Sequence, residues 1–456
     1  MPSNAPLVPL SPEWWIARLY ARLSHRRELV DLYSDYYAGD HPLPWLAPQA
    51  REEFRRLVRM TRSNYMGLVC DAVAEREQIE GFRFGRDNTA DADTWRIWQA
   101  NQLDSYSDQG ILEAHITGQS YMLVAPNPDD ASTPLAWMEH PSQAIVEFSP
   151  GMGRRQRAAG LKVWDDDWTG RLHATLYLPQ WVYKFEAPRP TGGVDPQRTA
   201  WEPRTVAGEQ WPAPNPLGDV PLVEIANRPR LLHGGVSEIA DVIDIQDRVN
   251  KTIFDRMQTQ EFGVDPQKFA SAFPDEDAQG NPNVVEFGRN RMVTTDVAET
   301  RFGNFAVAPL SPVLEAKRED VKDIASRTRT PAQYLLGEMS NVNGETLKAS
   351  ESGLVSKVRQ SCRTLGEDFE TGVRLMRKAA GLPGADESME TMWRNPEFRT
   401  EGELTDATVK KVQAGLISLR QGREDLGYTA AQIARMEQED AVGLLNLGVG
   451  DAGLGA

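Results

Sequence analysis

Apolar residues recur every three or four positions through most of the first 120 residues, which is the spacing that places side chains on one face of an α-helix. Trp15, Leu19 and Leu23 begin the pattern, and the Gly- and Pro-rich segment 39–44 interrupts it. A second amphipathic stretch then carries apolar positions from Phe54 to Val73. The predicted helices span residues 12 to the break at 39–44, 54 to about 80, 92–102 and 105–117.

Between residues 120 and 225 the period changes to two, as expected for strands with one buried face. The predicted antiparallel strands are 121–124, 144–148, 161–164 and 172–185. The acidic run Asp165–Asp167 falls between two of them and precedes Trp168-Thr169-Gly170. We therefore interpret the run as a hairpin turn rather than a magnesium site. The Pro- and Gly-rich segment 187–220 predicts a long irregular connection.

The helical period returns on either side of a compact segment. Ser237 is expected to cap a helix that extends to about Gln260, with Glu238 in its first turn. Segment 261–310 contains short apolar runs and Pro266, Pro274 and Pro282, which predicts a small β or mixed module. Ser311-Pro312 then opens a second helix that ends before Pro331. This order predicts an antiparallel helix pair with a small domain at its tip.

The first helix of this pair has two chemically different faces. Its apolar face carries Ile239, Val242, Ile243, Val249, Ile253 and Met257. Its polar face carries Asp241, Asp244, Arg248, Lys251 and Asp255. We expect the apolar face to pack against neighbouring helices, whereas the polar face offers ion pairs between subunits and a wall of net negative charge.

The last third of the chain is predicted to be helical again. A polar stretch, Gln333–Gly344, precedes an amphipathic pattern that continues to about Ala380. At 1.5 Å per residue such a helix would be roughly 50 Å long, so it should pack across several neighbours. A further helical region is predicted from Glu403 to Ala441, followed by a Gly-rich tail that we expect to be disordered.

The formal charge of the chain is −16 over 456 residues. Tight DNA binding requires clustered Lys and Arg that neutralise phosphates, so this charge argues against a DNA-gripping protein. It is compatible with a conduit, in which adhesion to every passing phosphate would act as a brake. The one local basic cluster, Arg154-Arg155-Gln156-Arg157, is interpreted as a solvated loop, with contact to DNA or to an acidic neighbouring subunit as the alternative.

The sequence contains no recognisable catalytic or cofactor motif. The tail sequence Gly448–Gly453 matches the dinucleotide fingerprint, but no helix can follow it, and no GxxxxGK[ST] loop, HExxH or GxSxG occurs. The six histidines are scattered, and Cys70 and Cys362 lie within separate helical patterns as expected for buried thiols. We expect no catalytic residue, metal or cofactor. The absence of long apolar runs and of a signal peptide predicts a protein made in a cytoplasm without a membrane span.

Several phrases of the sequence, taken in order, resemble the portal proteins of long-tailed phages, particularly those of actinobacterial phages. Early phrases are Tyr36–Pro44, Asn64–Arg76, Gly81–Phe84, Trp98–Asp104 and Gly118–Tyr121. Later phrases are Asn227-Arg228-Pro229, Gly235–Ile239, Asp244–Lys251 and Thr330-Pro331 with Gly337. No single phrase is diagnostic; the resemblance depends on the ordered set, which covers nearly all of the chain.

The resemblance implies an α+β portal fold with a wing, a helical stem, a small β or mixed clip and a helical crown. The implied division is wing 1–236, stem helices 237–260 and 311–331, clip 261–310, tunnel loop 332–346, long wing helix and connection 347–399, and crown 400–456. The residues expected to face DNA from the tunnel loop are Gln333, Glu338, Ser340, Asn341 and Asn343. Such uncharged or acidic side chains can touch a moving duplex without salt-dependent adhesion.

The resemblance also implies a dodecameric, non-enzymatic ring at the capsid vertex, through which double-stranded DNA enters and leaves. Its implied partners are the large terminase subunit, a head–tail adaptor, and the major capsid and scaffold proteins. Its implied locations are the virion and, during assembly, the host cytoplasm. Two alternatives are a terminase-type nuclease, which would need a carboxylate cluster and a nucleotide loop, and another virion protein such as a capsid or adaptor subunit.

Overall fold

The computed structural model contains two compact units, residues 1–396 and 397–456, which are described separately. It describes residues 8–44, 57–84, 90–189, 199–264, 268–272, 299–337, 344–384, 388–397, 401–428 and 432–440, with the single residues 152, 155, 305, 307 and 434 excepted. Within these ranges, none of the helices combines the length and the apolar character that a membrane span requires.

The first unit begins with a long helix and three shorter ones. The helices are α1 (Pro12–Ala38), α2 (Met66–Ala74), α3 (Ala92–Ala100) and α4 (Leu103–Thr117). Ser11 caps α1 by accepting a hydrogen bond from the Trp14 amide at 3.2 Å, and Gly39 ends it at φ 79°. The prediction of one helix from 54 to about 80 is wrong in its middle, because residues 60–65 are not helical, and at its end, because Ile79–Phe84 forms a strand, β1.

Two antiparallel sheets follow, as the alternating pattern predicts. Their strands are β2 (Gln119–Ala125), β3 (Leu135–Glu139), β4 (Ala144–Phe148), β5 (Arg157–Asp166), β6 (Arg171–Tyr177), β7 (Trp181–Pro188), β8 (Glu202–Pro203), β9 (Ala213–Pro214) and β10 (Leu222–Ala226). One sheet has the order β10–β2–β3; the other runs β4–β5–β6–β7–β8, with β9 also paired to β7. Helix α1 packs its apolar face on the larger sheet, burying Leu19 and Leu23 against Leu161 and Leu176.

The acidic run lies at the β5–β6 hairpin, as predicted. Asp166 pairs with Arg171 in the strand register, and Gly170 at φ 67° donates its amide to the Asp166 carbonyl at 2.8 Å. Arg189 forms ion pairs with Asp165, at 3.3 Å, and with Asp167. Asp165 and Asp166 thus end β5, and Asp166 stabilises the turn by also accepting hydrogen bonds from the Trp168 amide at 3.0 Å and the Thr169 hydroxyl at 2.8 Å.

Two antiparallel helices, α5 (Ile243–Val264) and α6 (Ser311–Thr328), flank a strand pair, β11 (Lys268–Ser271) with β12 (Arg301–Asn304). The predicted start of the first helix is wrong, because residues 238–242 form turns and Ser237 caps only a local turn through the Ile239 amide. Ser311 is likewise the first helical residue rather than the cap. The remainder of the predicted insert, including Pro266, Pro274 and Pro282, lies outside the described residues.

After the short helix α7 (Ala332–Leu336), helix α8 (Gly344–Ala379) continues for 36 residues, about 54 Å. Its apolar face enters the largest core cluster, where Phe369 meets the ring of Trp98 with 5.9 Å between centroids. A final strand of this unit, β13 (Met389–Trp393), pairs with β1. Residues 79–84 and 389–393 are thus far apart in sequence but contribute to one core cluster.

The second unit contains helices α9 (Glu401–Gln413) and α10 (Leu419–Asp425). The continuous helical region predicted from Glu403 is therefore interrupted, with Gly415 at φ 70° and Ser418 accepting a hydrogen bond from the Gln421 amide at 3.1 Å. The Gly-rich tail lies outside the described residues.

Two backbone segments touch where Gly118 meets Gly235. A Cβ atom on Gly235 would lie 1.8 Å from the Gly118 carbonyl oxygen, whereas a Cβ atom on Gly234 would meet nothing within 4 Å. We predict that Gly235→Ala lowers the free energy of unfolding by about 1–3 kcal/mol, because the backbones must separate. Gly234→Ala, the control, should change it by less than about 0.5 kcal/mol. Equal unfolding midpoints in urea for the two variants would contradict this packing.

Candidate functional site

The paired helices α5 and α6 run antiparallel and are joined by both apolar and charged contacts. Val249 and Ile253 share a buried cluster with Val321 and Ile324. Arg248 forms ion pairs with Asp320 at 2.7 Å and with Asp323 at 2.9 Å. Nearer the start of α5, Arg327 donates to the carbonyl of Asp241 at 3.4 Å. The contacts fix the register of the two helices.

The five predicted polar-face residues have different environments. Asp241 lies in the turns before α5, and Asp244 is exposed in its first turn. Arg248 pairs with α6, and Lys251 pairs with Asp255 one turn further along α5. Both cations of the face therefore have partners within the chain, and ion pairs between subunits stay a prediction.

A third set of side chains on α5, which the two-face interpretation overlooked, holds the segment after α1. Gln246 and Asn250 are buried and accept hydrogen bonds from the amides of Tyr65, at 3.1 Å, and Ser63, at 3.0 Å. The Tyr36 hydroxyl donates to Asp247 at 2.9 Å. Burial raises the pKa of Asp247, although the Tyr36 hydrogen bond opposes that shift. The paired helices are thus anchored by polar contacts as well as by their apolar face.

A cluster of charged side chains lies where the paired helices meet the rest of the first unit, and all of its members except Arg228 are buried. We call it the junction network. It consists of Glu77, His115, Arg228, Glu238 and Lys357. His115 Nε2 lies 2.7 Å from Glu77 Oε2, and neither side chain is exposed. Glu238 lies 2.5 Å from the Lys357 ammonium group and 3.0 Å from Arg228.

The junction network contacts both helices of the pair at one end, where α5 begins and α6 ends. Glu238 is in the turns that lead into α5, and Lys357, on α8, also donates to the carbonyl of Thr328, the last residue of α6, at 2.8 Å. His115 is on α4, and its carbonyl accepts the Glu238 amide at 2.9 Å. The sequence prediction placed Glu238 in the first turn of the helix; it lies instead in the turns before α5, and only 4% of it is exposed.

The charges of the network stabilise one another's ionised forms. Desolvation lowers the pKa of His115, but the carboxylates of Glu77 and Glu238 outweigh it and raise that pKa to about 9. For Glu238, desolvation favours the neutral acid, yet His115, Lys357 and Arg228 hold its pKa well below the usual range. At neutral pH the network therefore contains imidazolium, ammonium and guanidinium groups around carboxylates. Such an arrangement fixes the positions of the elements that contribute its members. The described residues contain no group of three or more side chains that could hold a metal ion.

Comparisons with known proteins assign the chain to a protein family. A model of the family described as "Phage portal protein, SPP1 Gp6-like" matches residues 16–441. The portal protein of Mycobacterium phage D29 is 30% identical over 406 residues, which cover 84% of this chain and 80% of the relative. The chain belongs to the phage portal protein family. The portal protein of Mycobacterium phage L5 is 27% identical over 456 residues, covering 93% and 90% of the two chains.

A chain of the solved structure "Neck of empty GTA particle computed with C6 symmetry" is 12% identical, with a TM-score of 0.43, over 85% of this portal chain and 95% of the other. Family membership confirms the α+β portal fold class and the portal function that the sequence resemblance implied. It decides against the terminase-type nuclease and against the capsid or adaptor subunit, and portal proteins are structural proteins of the virion head.

The segment 332–346, which was predicted to be the tunnel loop, is helical at both of its ends. Gln333 lies on helix α7, and its side-chain amide donates to Ser350 on α8 at 2.8 Å. Residues 344–346 already belong to α8. The other predicted loop residues are Glu338, Ser340, Asn341 and Asn343, and they lie outside the described residues. Gly337, at φ 66°, ends α7 immediately before them.

The basic cluster is not a solvated loop at its two described arginines. Arg157, on β5, pairs with Asp219 at 2.6 Å. Arg154 lies 3.3 Å from Asp368 on α8, whose pKa burial raises to about 7 against the opposing charge of Arg154. Arg155 is outside the described residues. Because both guanidinium groups bind carboxylates of their own chain, the alternative of DNA contact loses its support at these two positions.

The junction network predicts an asymmetric response to loss of one charge. Lys357→Met leaves Glu238 buried with one cation fewer, and should lower the free energy of unfolding by about 3 kcal/mol. Lys251→Met, which breaks an exposed pair, should cost less than about 1 kcal/mol. In a double-mutant cycle, Lys357→Met with Glu238→Gln should show a coupling above about 1 kcal/mol in urea unfolding of the unassembled chain. Additive losses would show that the two groups do not interact.

The raised pKa of His115 predicts a loss of stability in mild alkali. Protonation stabilises the fold fully below the unfolded pKa of about 6.5, and this contribution of about 3 kcal/mol should disappear as the pH rises through about 9. The midpoint temperature of thermal unfolding should therefore fall more steeply between pH 6.5 and 9.5 for the wild type than for His115→Gln. His140→Gln, at an exposed site, is the control and should retain the wild-type slope. Parallel curves for all three proteins would contradict the assignment.

Proposed function

We propose that this portal chain forms the ring at the capsid vertex through which double-stranded DNA is packaged and ejected, and which joins head to tail. The observation that carries the proposal is the antiparallel helix pair α5–α6. A strand pair lies between the two helices in sequence, and the junction network contacts the pair where α5 begins and α6 ends. A rigid helical hairpin that is fixed at its base suits a subunit whose identical copies surround a channel.

The regions of the portal ring are assigned on the same basis. We assign 1–236 and 347–399 to the wing, which is supported by the β1–β13 pairing and by the core that α8 shares with α3 and α4. We assign 237–260 and 311–331 to the stem, 261–310 to the clip and 400–456 to the crown. The segment between α7 and α8 is proposed as the tunnel loop, with Glu338, Ser340, Asn341 and Asn343 facing DNA.

The charge pattern supports passage rather than retention of DNA. The chain carries a net charge of −16, and Arg248 and Lys251 on the proposed stem face pair with Asp320, Asp323 and Asp255. A phosphate would have to compete with these carboxylates for each cation. Counterion release, the main source of DNA affinity, is therefore small along this surface.

We propose the following partners and locations for the ring. The subunits form a dodecamer, the large terminase subunit and the head–tail adaptor dock on it in succession, and capsid and scaffold proteins surround the wing. The ring assembles in the host cytoplasm and remains in the virion, and it carries no catalytic activity of its own. The exposed acids of the stem, such as Asp244, face the channel or a neighbouring subunit.

The proposal is tested by imaging the purified chain and a variant that lacks residues 338–343. Both proteins should form rings with a central hole in negative stain, because the deletion removes only the chain between α7 and α8. A phage carrying the deletion should package or retain less DNA than wild type, measured as filled heads per particle. A wild-type chain that remains monomeric would contradict the ring, whereas normal packaging by the deletion phage would contradict only the tunnel-loop assignment.

A further inference from the structure

The connection between β10 and the turns before α5 is a loop that is closed at its base. The Val236 amide donates to the Asn227 carbonyl at 2.8 Å, and the Asn227 side chain donates to the Val236 carbonyl at 2.8 Å. The Asn227 amide in turn donates to the carbonyl of Gly118 at 2.9 Å. These hydrogen bonds close the base of a single loop, which consists of residues 228–235.

The base of this loop is also bound to the junction network. Arg228 forms an ion pair with Glu238 at 3.0 Å and donates to the Ser237 carbonyl at 3.1 Å, with its own backbone at φ 45°. Glu238 is buried and paired with Lys357. The orientation of the loop is therefore determined by the same carboxylate that positions the paired helices.

The tip of the loop presents two leucines to solvent. Leu231 is 94% exposed and Leu232 is fully exposed at 102%, the most exposed of the large apolar side chains that the structure describes. Leu232 has φ 66°, a left-handed conformation that is unfavourable for a leucine, and the His233 amide donates to the Arg230 carbonyl at 3.0 Å to close the turn. Residues held in such sparsely populated backbone conformations cluster at functional sites.

We propose that the Leu231–Leu232 tip inserts into an apolar recess of the adjacent copy of this chain, and so forms part of the interface between neighbouring subunits. This inference rests on the proposed ring. A closed ring requires a head-to-tail interface, in which a projection on one face of each subunit meets a different face of the next. A short projection on a rigid base meets that requirement.

The chemistry of the tip favours a second copy of this chain, rather than nucleic acid, as its binding partner. Leucine side chains recognise apolar protein surface and have no group that binds phosphate. The leucines are flanked by exposed Arg230 and His233, whereas a second copy carries a net charge of −16. A basic rim around an apolar centre is complementary to such a surface.

The test compares Leu231→Asp/Leu232→Asp with the wild-type chain by mass photometry over a range of concentrations. The concentration needed for half-assembly should rise at least about tenfold, because each interface loses two buried leucines and gains two carboxylates. Since both side chains are exposed, the unassembled variant should keep the wild-type melting temperature. Val8→Asp/Leu10→Asp, which changes two exposed apolar residues elsewhere, is the matched control and should assemble as wild type does.

A photo-crosslinking residue at position 231 provides the second measurement. Irradiation of assembled rings should give chain dimers on a denaturing gel, and irradiation of the unassembled chain should not. Rings that persist unchanged in Leu231→Asp/Leu232→Asp, equal loss of assembly in the control, or crosslinks confined to a single chain would overturn the inference. Intact rings of the variant that have lost retention of duplex DNA on a filter would reassign the tip to DNA. A wild-type chain that forms no ring would instead contradict the proposed function.

Discussion

The arrangement of the first unit depends on one buried carboxylate. Glu238 attracts Lys357 from α8 and Arg228 from the preceding loop, and its charge acts on His115 from α4. Removing a carboxylate and its cations from water is costly, so the network is stable only when all of its members are in place. This requirement couples elements that are far apart in sequence, and it explains why the first and last thirds of the unit form one body.

The sequence pattern predicted most of the regular elements because the apolar residues that form the buried face of each element are close together in sequence. Leu19 and Leu23 lie on one face of α1, and the alternation in β5 and β6 places Leu161 and Leu176 inside. The helix–insert–helix order also follows from periodicity and proline positions. The same reasoning could not find the β1–β13 pairing, because residues 79–84 and 389–393 meet only through tertiary packing.

The errors at the candidate site have a common physical origin. Periodicity separates apolar from polar positions, and it assigns every charged residue to solvent. Glu238, Lys357 and Arg157 are charged and yet largely buried, since a partner from a distant element compensates each of them. The partner of a charge is a property of the fold, so no local window of sequence can reveal it.

The length of α8 has a mechanical consequence. Lys357 lies about 20 Å from the Gly344 end of the helix. On the C-terminal side of Lys357, Leu365, Phe369 and Val373 are buried in the largest core cluster. Between Lys357 and the start of the helix, Leu354 packs with Val73 of α2, and Glu351 accepts a hydrogen bond from the Tyr334 hydroxyl at 2.6 Å. A tilt of about 5° about Lys357 would move the Gly344 end by about 2 Å and would disturb both contacts. A displacement of that end is therefore transmitted to α2 and α7 as well as to the ammonium group that holds the end of α6.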